Sequence, residues 1–235
     1  MKLVTVAGPP SAGKTAVIIK TAAHLKKIYS KIGVVKFDCL STSDHLLYKK
    51  AGISVVTGLS GNLCPDHYFV SNIDDCLQWA KRKGFDMLIS ESAGLCNRCS
   101  PHIKEIPAVC VIDCLAGADT PKKIGPMLRY ADTVAVTKGD IVSQAEREVF
   151  SFRVRQANPK ASVIFVNGIT GQGAYDLSHA FSKATDVESL EDAKLRFSMP
   201  AAICPYCVGE MTIGVDHQKG NVKKMVFKEE EEAAV

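Results

Sequence analysis

A phosphate-binding signature near the start of the chain constrains its fold more than any other feature. Residues 8–15 read GPPSAGKT and satisfy G-x-x-x-x-G-K-[S/T] at every specified position. An apolar stretch precedes this loop and a helical pattern follows it. The motif therefore has the strand–loop–helix setting in which backbone N–H groups cradle phosphate at a helix N-terminus. In such a loop Lys14 reaches the β- and γ-phosphates, and the Thr15 hydroxyl ligates Mg²⁺.

Strand-like and helical segments alternate along most of the chain. This alternation predicts a three-layer α/β fold of the P-loop NTPase type, with helices covering a mostly parallel sheet. We expect residues 1–185 to form that domain, 186–228 a small cysteine-containing extension and 229–235 an acidic tail. The predicted strands are 2–7, 32–37, 53–56, 85–91, 107–114, 131–136 and 162–166. The predicted helices are 13–27, 45–51, 70–83, 121–130, 143–155 and one that opens after 173.

Charge and hydropathy argue against several classes of function. The net charge of +4 over 235 residues is too small to indicate a nucleic-acid or membrane partner. No apolar run approaches the roughly 18 residues that span a bilayer, and no signal pattern precedes the first strand. We therefore expect a cytoplasmic protein. In that compartment the 9 cysteines would remain thiols, so paired spacings indicate metal or redox sites rather than structural disulfides.

Acidic residues stand at the ends of two predicted strands. Asp38 follows the second strand and Glu91 ends the fourth, and the carboxyl ends of parallel strands form the ligand-binding edge of such a sheet. We expect both carboxylates to serve Mg²⁺ or the γ-phosphate, with the Gly94 N–H as a γ-phosphate sensor. Asp44 follows a Ser/Thr run, which leaves helix capping and site chemistry both open. The predicted catalytic residues are Lys14, Asp38 and Glu91.

The sequence Thr137-Lys138-Gly139-Asp140 ends the sixth predicted strand. At this position a carboxylate accepts hydrogen bonds from the N1–H and exocyclic amine of guanine, a donor pair that adenine lacks. We therefore predict GTP with Mg²⁺ as the bound nucleotide, the ion being held by Thr15, Asp38 and Glu91. The predicted nucleotide-binding residues are Gly8, Ser11, Ala12, Gly13, Lys14, Thr15, Ala16, Gly94, Thr137, Lys138 and Asp140.

Three groups of cysteine and histidine residues have the spacing of metal ligands. Cys64 and His67 lie on one predicted loop and would supply two of the four ligands of a Zn²⁺ or Ni²⁺ site. A second subunit would then have to supply the other two. A C-x-x-C pair directly after the γ-phosphate sensor would link a metal or redox centre to the nucleotide state. A second C-x-x-C pair, Cys204 and Cys207, indicates a metal knuckle or a redox pair. The alternative is a tight turn whose two thiols have no function. The candidate ligands are Cys64, His67, Cys96, Cys99, Cys204 and Cys207.

With these motifs placed, the chain resembles the metallocentre-assembly GTPases, the group that contains HypB of hydrogenase maturation and UreG of urease maturation. The resemblance covers residues 1–185. It implies a slow GTPase that forms a nucleotide-dependent homodimer and passes nickel or another metal to an apo-metalloenzyme or a second chaperone. It also implies a metal site at Cys64 and His67 shared across the dimer. This chain departs from the UreG pattern Cys-Pro-His by one inserted residue, Asp66. The resemblance is carried by 8–15, Asp38, 57–67, Glu91-Ser92-Ala93-Gly94 in place of Asp-x-x-Gly, 137–140 and Thr170-Gly171-Gln172-Gly173.

Three other assignments fit the same motifs. A dimeric nucleotidase could hold an iron–sulfur cluster on either C-x-x-C pair and couple hydrolysis to electron transfer or cluster delivery. Alternatively, the two pairs could bind structural zinc. A nucleotide-dependent binding module without useful hydrolysis is the remaining alternative.

Overall fold

Short apolar segments assemble into a seven-stranded sheet in the computed structural model, which describes residues 1–198, 210–218 and 220–227. The strands are β1 (Lys2–Ala7), β2 (Ile32–Asp38), β3 (Ser54–Leu59), β4 (Met87–Ser92), β5 (Ala108–Asp113), β6 (Thr133–Thr137) and β7 (Ser162–Phe165). Their order is β3-β2-β4-β1-β5-β6-β7, and all six pairings are parallel. Strand β1 lies at the centre, so the loop that follows it opens onto the middle of the carboxyl edge.

Helices cover both faces of this sheet, which confirms the predicted three-layer α/β fold. They are α1 (Lys14–Leu25), α2 (Asp44–Lys50), α3 (Pro65–Arg82), α4 (Thr120–Lys123), α5 (Pro126–Arg129), α6 (Gln144–Ala157) and α7 (Ala174–Ser182). One apolar core joins the sheet to α1, α2 and α7. On the opposite face, a second core lies under α3 and a third under α4, α5 and α6. Successive residues of β1 alternate between faces, with Leu3 in the second core and Val4 in the first.

The predicted helix over 121–130 is instead two short helices, α4 and α5. Gly125 separates them with a φ of 67°, where a Cβ would stand 2.5 Å from the Asn97 carbonyl oxygen. Pro126 follows and has no N–H to continue the helical bonding of the preceding turn. The break therefore has a local steric cause.

Helix α3 begins at Pro65, five residues before the predicted start at 70. Proline suits the first helical position because its φ is already helical and its missing N–H would have no partner there. Asp66 adds an acid to the first turn, where the helix dipole favours negative charge. The prediction that His67 lies on a loop was therefore wrong, and both Asp66 and His67 belong to the helix.

The described part of the C-terminal extension packs on the second core. Leu190, Leu195, Ile213 and Met225 are buried there against β2, β4 and α3. Cys204, Cys207 and the acidic tail 229–235 lie outside the described residues, so the predictions made for them stay predictions. Within the described ranges, no helix combines the length and apolar character that crossing a membrane requires.

Candidate functional site

The phosphate loop has a conformation that depends on glycine. Gly8 has a φ of 151°, and a Cβ there would stand 2.0 Å from the Val111 carbonyl oxygen of β5. Gly13 has a φ of 86° and enters α1 directly. Gly94 faces this loop from the end of β4, where a Cβ would stand 1.8 Å from the Gly8 carbonyl oxygen. The predicted γ-phosphate sensor therefore lies against the predicted phosphate loop.

Lys14 is folded into its own loop. Its Nζ donates to the carbonyl oxygens of Gly8 at 2.9 Å and Pro9 at 2.8 Å, and it lies 3.5 Å from that of Ala93. Burial lowers the pKa of this ammonium from 10.5 to about 8, against the opposing effect of Glu91. The group is a buried cation held by weak neutral acceptors, which an arriving phosphate would readily replace.

Glu91 is the centre of the polar contacts at this edge, with only 1% of its surface exposed. Its Oε1 accepts from the Thr15 hydroxyl at 2.9 Å, and its Oε2 accepts from the Tyr48 hydroxyl at 2.6 Å. Burial and the adjacent carboxylate raise the pKa of Tyr48 well above its usual value, so the phenol remains a donor. The predicted pair of Thr15 and Glu91 is therefore assembled within hydrogen-bond distance.

A buried lysine lies among the acidic side chains. The Nζ of Lys36 is 2.6 Å from Asp44 Oδ2, 2.8 Å from Glu91 Oε1 and 3.8 Å from Asp38 Oδ2. Burial opposes the charge on Lys36, but the carboxylates of Glu91 and Asp44 outweigh it and raise its pKa. Burial likewise opposes ionisation of Asp44, yet the Lys36 ammonium holds the pKa of that carboxyl below its usual range. Asp44 thus faces the site rather than capping its helix.

These residues line one cleft of about 440 Å³ at the carboxyl edge of the sheet. Its oxygen donors are the Thr15 hydroxyl and the carboxylates of Asp38, Asp44 and Glu91. Hard oxygen donors of this kind suit Mg²⁺, and in this structure their negative charge is balanced by the Lys36 ammonium. The cleft is lined by Pro10, Ser11, Gly13, Lys14, Thr15, Ala16, Lys36, Asp38, Asp44, Leu47, Glu91, Ala93 and Leu95.

The predicted guanine-binding sequence is tied to the phosphate loop. The Thr137 hydroxyl donates to the Ala12 carbonyl oxygen at 2.7 Å, and Lys138 Nζ donates to that of Ser11 at 2.9 Å. Lys138 also lies 3.5 Å from Asp113 at the end of β5. Asp140 is exposed and lines a second cleft of about 220 Å³. The structure thus brings the predicted phosphate and base residues to one edge.

A group of sulfur and carboxyl donors lies next to the end of β4. Single ligand atoms of Asp66, Cys96 and Cys99 all lie within 4.8 Å of one another, and we call these three residues the thiol cluster. Ser92, the residue after Glu91, donates from its hydroxyl to Asp66 Oδ1 at 3.3 Å. Of the predicted metal ligands, the structure therefore joins Cys96 and Cys99 to Asp66.

Burial and contacts with Cys64 raise the pKa values of two members of the thiol cluster, Asp66 and Cys99. Burial raises the pKa of Asp66 from 3.8 to about 7, with the Cys64 thiol acting in the same direction. A hydrogen bond with Cys64, together with burial, raises the pKa of the Cys99 thiol. Cys64 thus adjoins the cluster. His67 turns to the backbone of Asn221 and is not a member of the cluster, and burial lowers its pKa.

Four residues of this arrangement were missed or left open by the sequence analysis. Lys36 is a charged residue within an apolar strand, which in itself signals a paired or functional position. Tyr48 carries no such signal, because an aromatic residue on a short helix usually belongs to the core. Asp66 follows a proline that marks a helix start. Asp44 is assigned to the site by its contact with Lys36 and by its place in the lining of the cleft.

Comparison with known proteins adds sequence and fold relatives. The family model described as the CobW/HypB/UreG nucleotide-binding domain matches residues 2–165. The uncharacterized protein MJ0120 of Methanocaldococcus jannaschii is 46% identical over 225 residues, which is 96% of each chain. The hydrogenase maturation factor HypB of Archaeoglobus fulgidus is 22% identical with a TM-score of 0.60, over 76% of this chain and 87% of that one. HypB of Helicobacter pylori, solved in complex with nickel, is 18% identical with a TM-score of 0.62, over 80% and 91% of the two chains. At these identities the two structures support the fold.

Proposed function

Because the chain belongs to the CobW/HypB/UreG family of nucleotide-binding domains, we propose that it is a slow GTPase that couples its nucleotide state to the insertion of nickel or another transition metal into a metalloenzyme. One observation carries this proposal. Adjacent residues of β4 contact the two sites, since Glu91 binds Thr15 in the nucleotide cleft and Ser92 binds Asp66 in the thiol cluster. A shift of this strand end on nucleotide binding would reach the thiol cluster directly.

The nucleotide chemistry rests on positioning and charge. Lys14 and the loop N–H groups would bind the phosphates, and Thr15, Asp38 and Glu91 would hold Mg²⁺. When bound, that ion neutralises charge that develops on the transferred phosphoryl group. Asp38 is the carboxylate available to orient a water, and its Oδ1 accepts a hydrogen bond from the Cys39 N–H. With so few groups for proton transfer, we expect slow turnover.

The thiol cluster suits a transition metal better than a hard cation. Thiolate sulfur is a soft donor that favours Zn²⁺ or Ni²⁺ over Mg²⁺, and the thiols would release their protons when such an ion binds. With two ligands per chain, the sequence predicts that a dimer completes the metal site. The cluster already gathers three donors from one chain, and Cys64 adjoins it. We propose one ion per chain, transferred to an apo-metalloenzyme or second chaperone by a nucleotide-dependent homodimer.

The guanine assignment is tested by nucleotide preference. We expect the native protein to bind GTP far better than ATP, because the Asp140 carboxylate would accept hydrogen bonds from guanine donors that adenine lacks. Asp140→Asn should weaken GTP binding by about 2 kcal/mol, since a charge-assisted contact is lost. Titration with fluorescent GTP and ATP measures both quantities, and Asp119→Asn, an exposed carboxylate elsewhere, is the matched control. Equal affinities for the two nucleotides in the native protein would contradict the assignment.

The coupling of metal to nucleotide is tested by metal affinity. We expect Zn²⁺ or Ni²⁺ to bind with affinities that differ between GDP and a GTP analogue by about 5- to 150-fold, the range of typical coupling energies. Cys96→Ser/Cys99→Ser should abolish this binding, whereas Cys39→Ser should preserve it because Cys39 bonds instead to the Gly61 carbonyl oxygen. Metal binding that is indifferent to nucleotide would remove the coupling and leave a structural site.

An iron–sulfur cluster is the second candidate, and the grouping of Cys64, Cys96 and Cys99 favours it. Such clusters are held by cysteine thiolates, whereas the Asp66 carboxyl within the same group favours a single ion. Anaerobic purification separates the two functions. A brown protein would support the cluster, and a colourless protein with bound zinc or nickel would support the metallochaperone.

A further inference from the structure

The position that Mg²⁺ would take in the nucleotide cleft is shared with a side chain of the protein itself. The Lys36 ammonium lies 2.8 Å from Glu91 Oε1, the same oxygen that accepts from the Thr15 hydroxyl at 2.9 Å. It also lies 2.6 Å from Asp44. The three carboxylates of the cleft thus surround one built-in cation.

The sheet holds Lys36 in this position. Lys36 on β2 is paired in register with Glu91 on β4, so their side chains leave the same face of the sheet side by side. Only 4% of Lys36 is exposed, and it lines the same cleft as Lys14 and Thr15. Its side chain is thus almost fully withdrawn from bulk water. A divalent cation arriving alone at Thr15 and Glu91 would therefore meet a buried like charge, which is strongly unfavourable.

We propose that Lys36 is a built-in competitor of the divalent cation, a positioning residue that keeps free Mg²⁺ out of the cleft until a nucleotide arrives. The inference rests on the proposed function as a Mg²⁺-dependent nucleotide-binding protein. Phosphate oxygens bring the negative charge that can receive the ammonium when it leaves Glu91 and Asp44. Mg²⁺ and nucleotide thus bind together. Neither Mg²⁺ nor a transferred transition metal occupies the nucleotide site before the nucleotide binds.

The test measures cation binding without nucleotide. Mn²⁺ replaces Mg²⁺ as an EPR-visible probe, titrated into the native protein, Lys36→Met and the control Lys50→Met, which removes an exposed lysine of α2. We expect native protein and Lys50→Met to bind Mn²⁺ weakly and alike, and Lys36→Met to bind one ion per chain at least about tenfold more tightly because the competing charge is gone. Adding Asp44→Asn to Lys36→Met should reverse this gain in Mn²⁺ affinity. That reversal would show that the ion binds among the carboxylates of the cleft. No gain in Lys36→Met, or tight Mn²⁺ binding by native protein, would overturn the proposal.

A second measurement uses the unaltered chain, since Lys36→Met leaves buried carboxylates unpaired and could unfold. Lysine ¹⁵N ammonium spectra are recorded, with the Lys36 signal assigned by its loss in Lys36→Arg, which keeps the charge. Millimolar Mg²⁺ alone should leave this signal in place, and Mg²⁺ with a GTP analogue should move it. A signal that Mg²⁺ alone displaces, or that the complex leaves unchanged, would contradict the displacement. The Mn²⁺ titration contains no nucleotide, so failure to bind GTP would refute the proposed function without affecting that result.

Discussion

Glu91 is the residue at which the parts of the candidate site meet. Three donors from three elements share its carboxylate, namely Thr15 of α1, Lys36 of β2 and Tyr48 of α2. A buried carboxylate is stable only when its oxygens are hydrogen-bonded and its charge is balanced. Because these donors fix Glu91, they also fix the end of β4 from which Ser92 reaches the thiol cluster.

His102 gives the molecule a pH-dependent stability. Its ring is fully buried, with Nε2 donating to the Met127 carbonyl oxygen at 2.9 Å and Nδ1 accepting from the Thr5 hydroxyl at 3.1 Å. Burial lowers its pKa from 6.5 to about 4, and the nearby Arg196 acts in the same direction. In the unfolded chain the histidine is protonated near pH 6.5, whereas in the folded chain it is protonated only near pH 4. The histidine's contribution to stability is therefore present above pH 6.5 and is lost as the pH falls towards 4.

We expect this loss to reach about 3 kcal/mol, since one pKa unit corresponds to about 1.4 kcal/mol. Urea unfolding of native protein and His102→Gln at several pH values isolates it, because protonation of carboxylates affects both proteins equally. The stability difference between the two should change by that amount between neutral pH and pH 4. A difference that stays constant would show that His102 does not titrate in this way.

Some residues of the candidate site are predicted by local sequence motifs, whereas others join it only through the pairing of strands that are distant in the sequence. Lys14, Thr15 and Asp140 belong to motifs whose residue spacing is typical of nucleotide-binding loops, so they could be predicted from the sequence alone. Lys36 joins the site because β2 pairs with β4 in a register that sets it beside Glu91. No local pattern states which strands are neighbours.

At the scale of elements, the start of α3 decides which side chains form the thiol cluster. With the helix beginning at Pro65, Asp66 contacts Ser92 while His67 turns to Asn221. A loop over the same residues would have allowed Cys64 and His67 to converge, as the sequence analysis expected. Pro65 is the local signal for the earlier start, because proline suits the first helical position.

The contact between the β4 end and the phosphate loop is tested with glycine substitutions. Gly94→Ala places a methyl group 1.8 Å from the Gly8 carbonyl oxygen at a φ of 65°, so one of the two loops must move. We expect a loss of at least about 3 kcal/mol in the free energy of unfolding and loss of GTP binding.

Gly84→Ala is the matched control for that substitution. It has a similar φ of 71° with nothing within 4 Å of the added Cβ, so it should cost only the left-handed strain of about 1 kcal/mol. Urea unfolding and GTP titration measure both variants. Equal effects of the two substitutions would mean that backbone strain alone, and not the contact with the phosphate loop, explains Gly94.

At the scale of the whole molecule, the segment beyond the matched family domain completes the fold. The family model ends at 165, whereas Leu190, Leu195 and Ile213 fill the second core beside β2 and α3. The alternation of strands and helices made the layered architecture predictable. The same alternation did not predict that the C-terminal extension packs on the second core. An irregular segment has no periodicity from which its buried residues could be identified.

Arg196 is the polar link between that segment and the domain. Its guanidinium pairs with both Asp132 oxygens at 2.7 Å and donates to the carbonyl oxygens of Ile103, Ile106 and Tyr130. Loss of the side chain leaves these acceptors without their donor, so we expect Arg196→Ala to cost about 2 kcal/mol, a value reduced by the partial exposure of Asp132. Arg196→Lys should recover less than half of that loss, because an ammonium cannot reproduce the planar fork of the guanidinium.

The control is Arg153→Ala, which removes an exposed arginine of α6 and should change stability by less than about 0.5 kcal/mol. Thermal and urea unfolding measure all three, and we expect one cooperative transition in each because the extension shares the core. A separate early transition, or an Arg196→Ala variant as stable as Arg153→Ala, would show that the extension is not part of the folding unit.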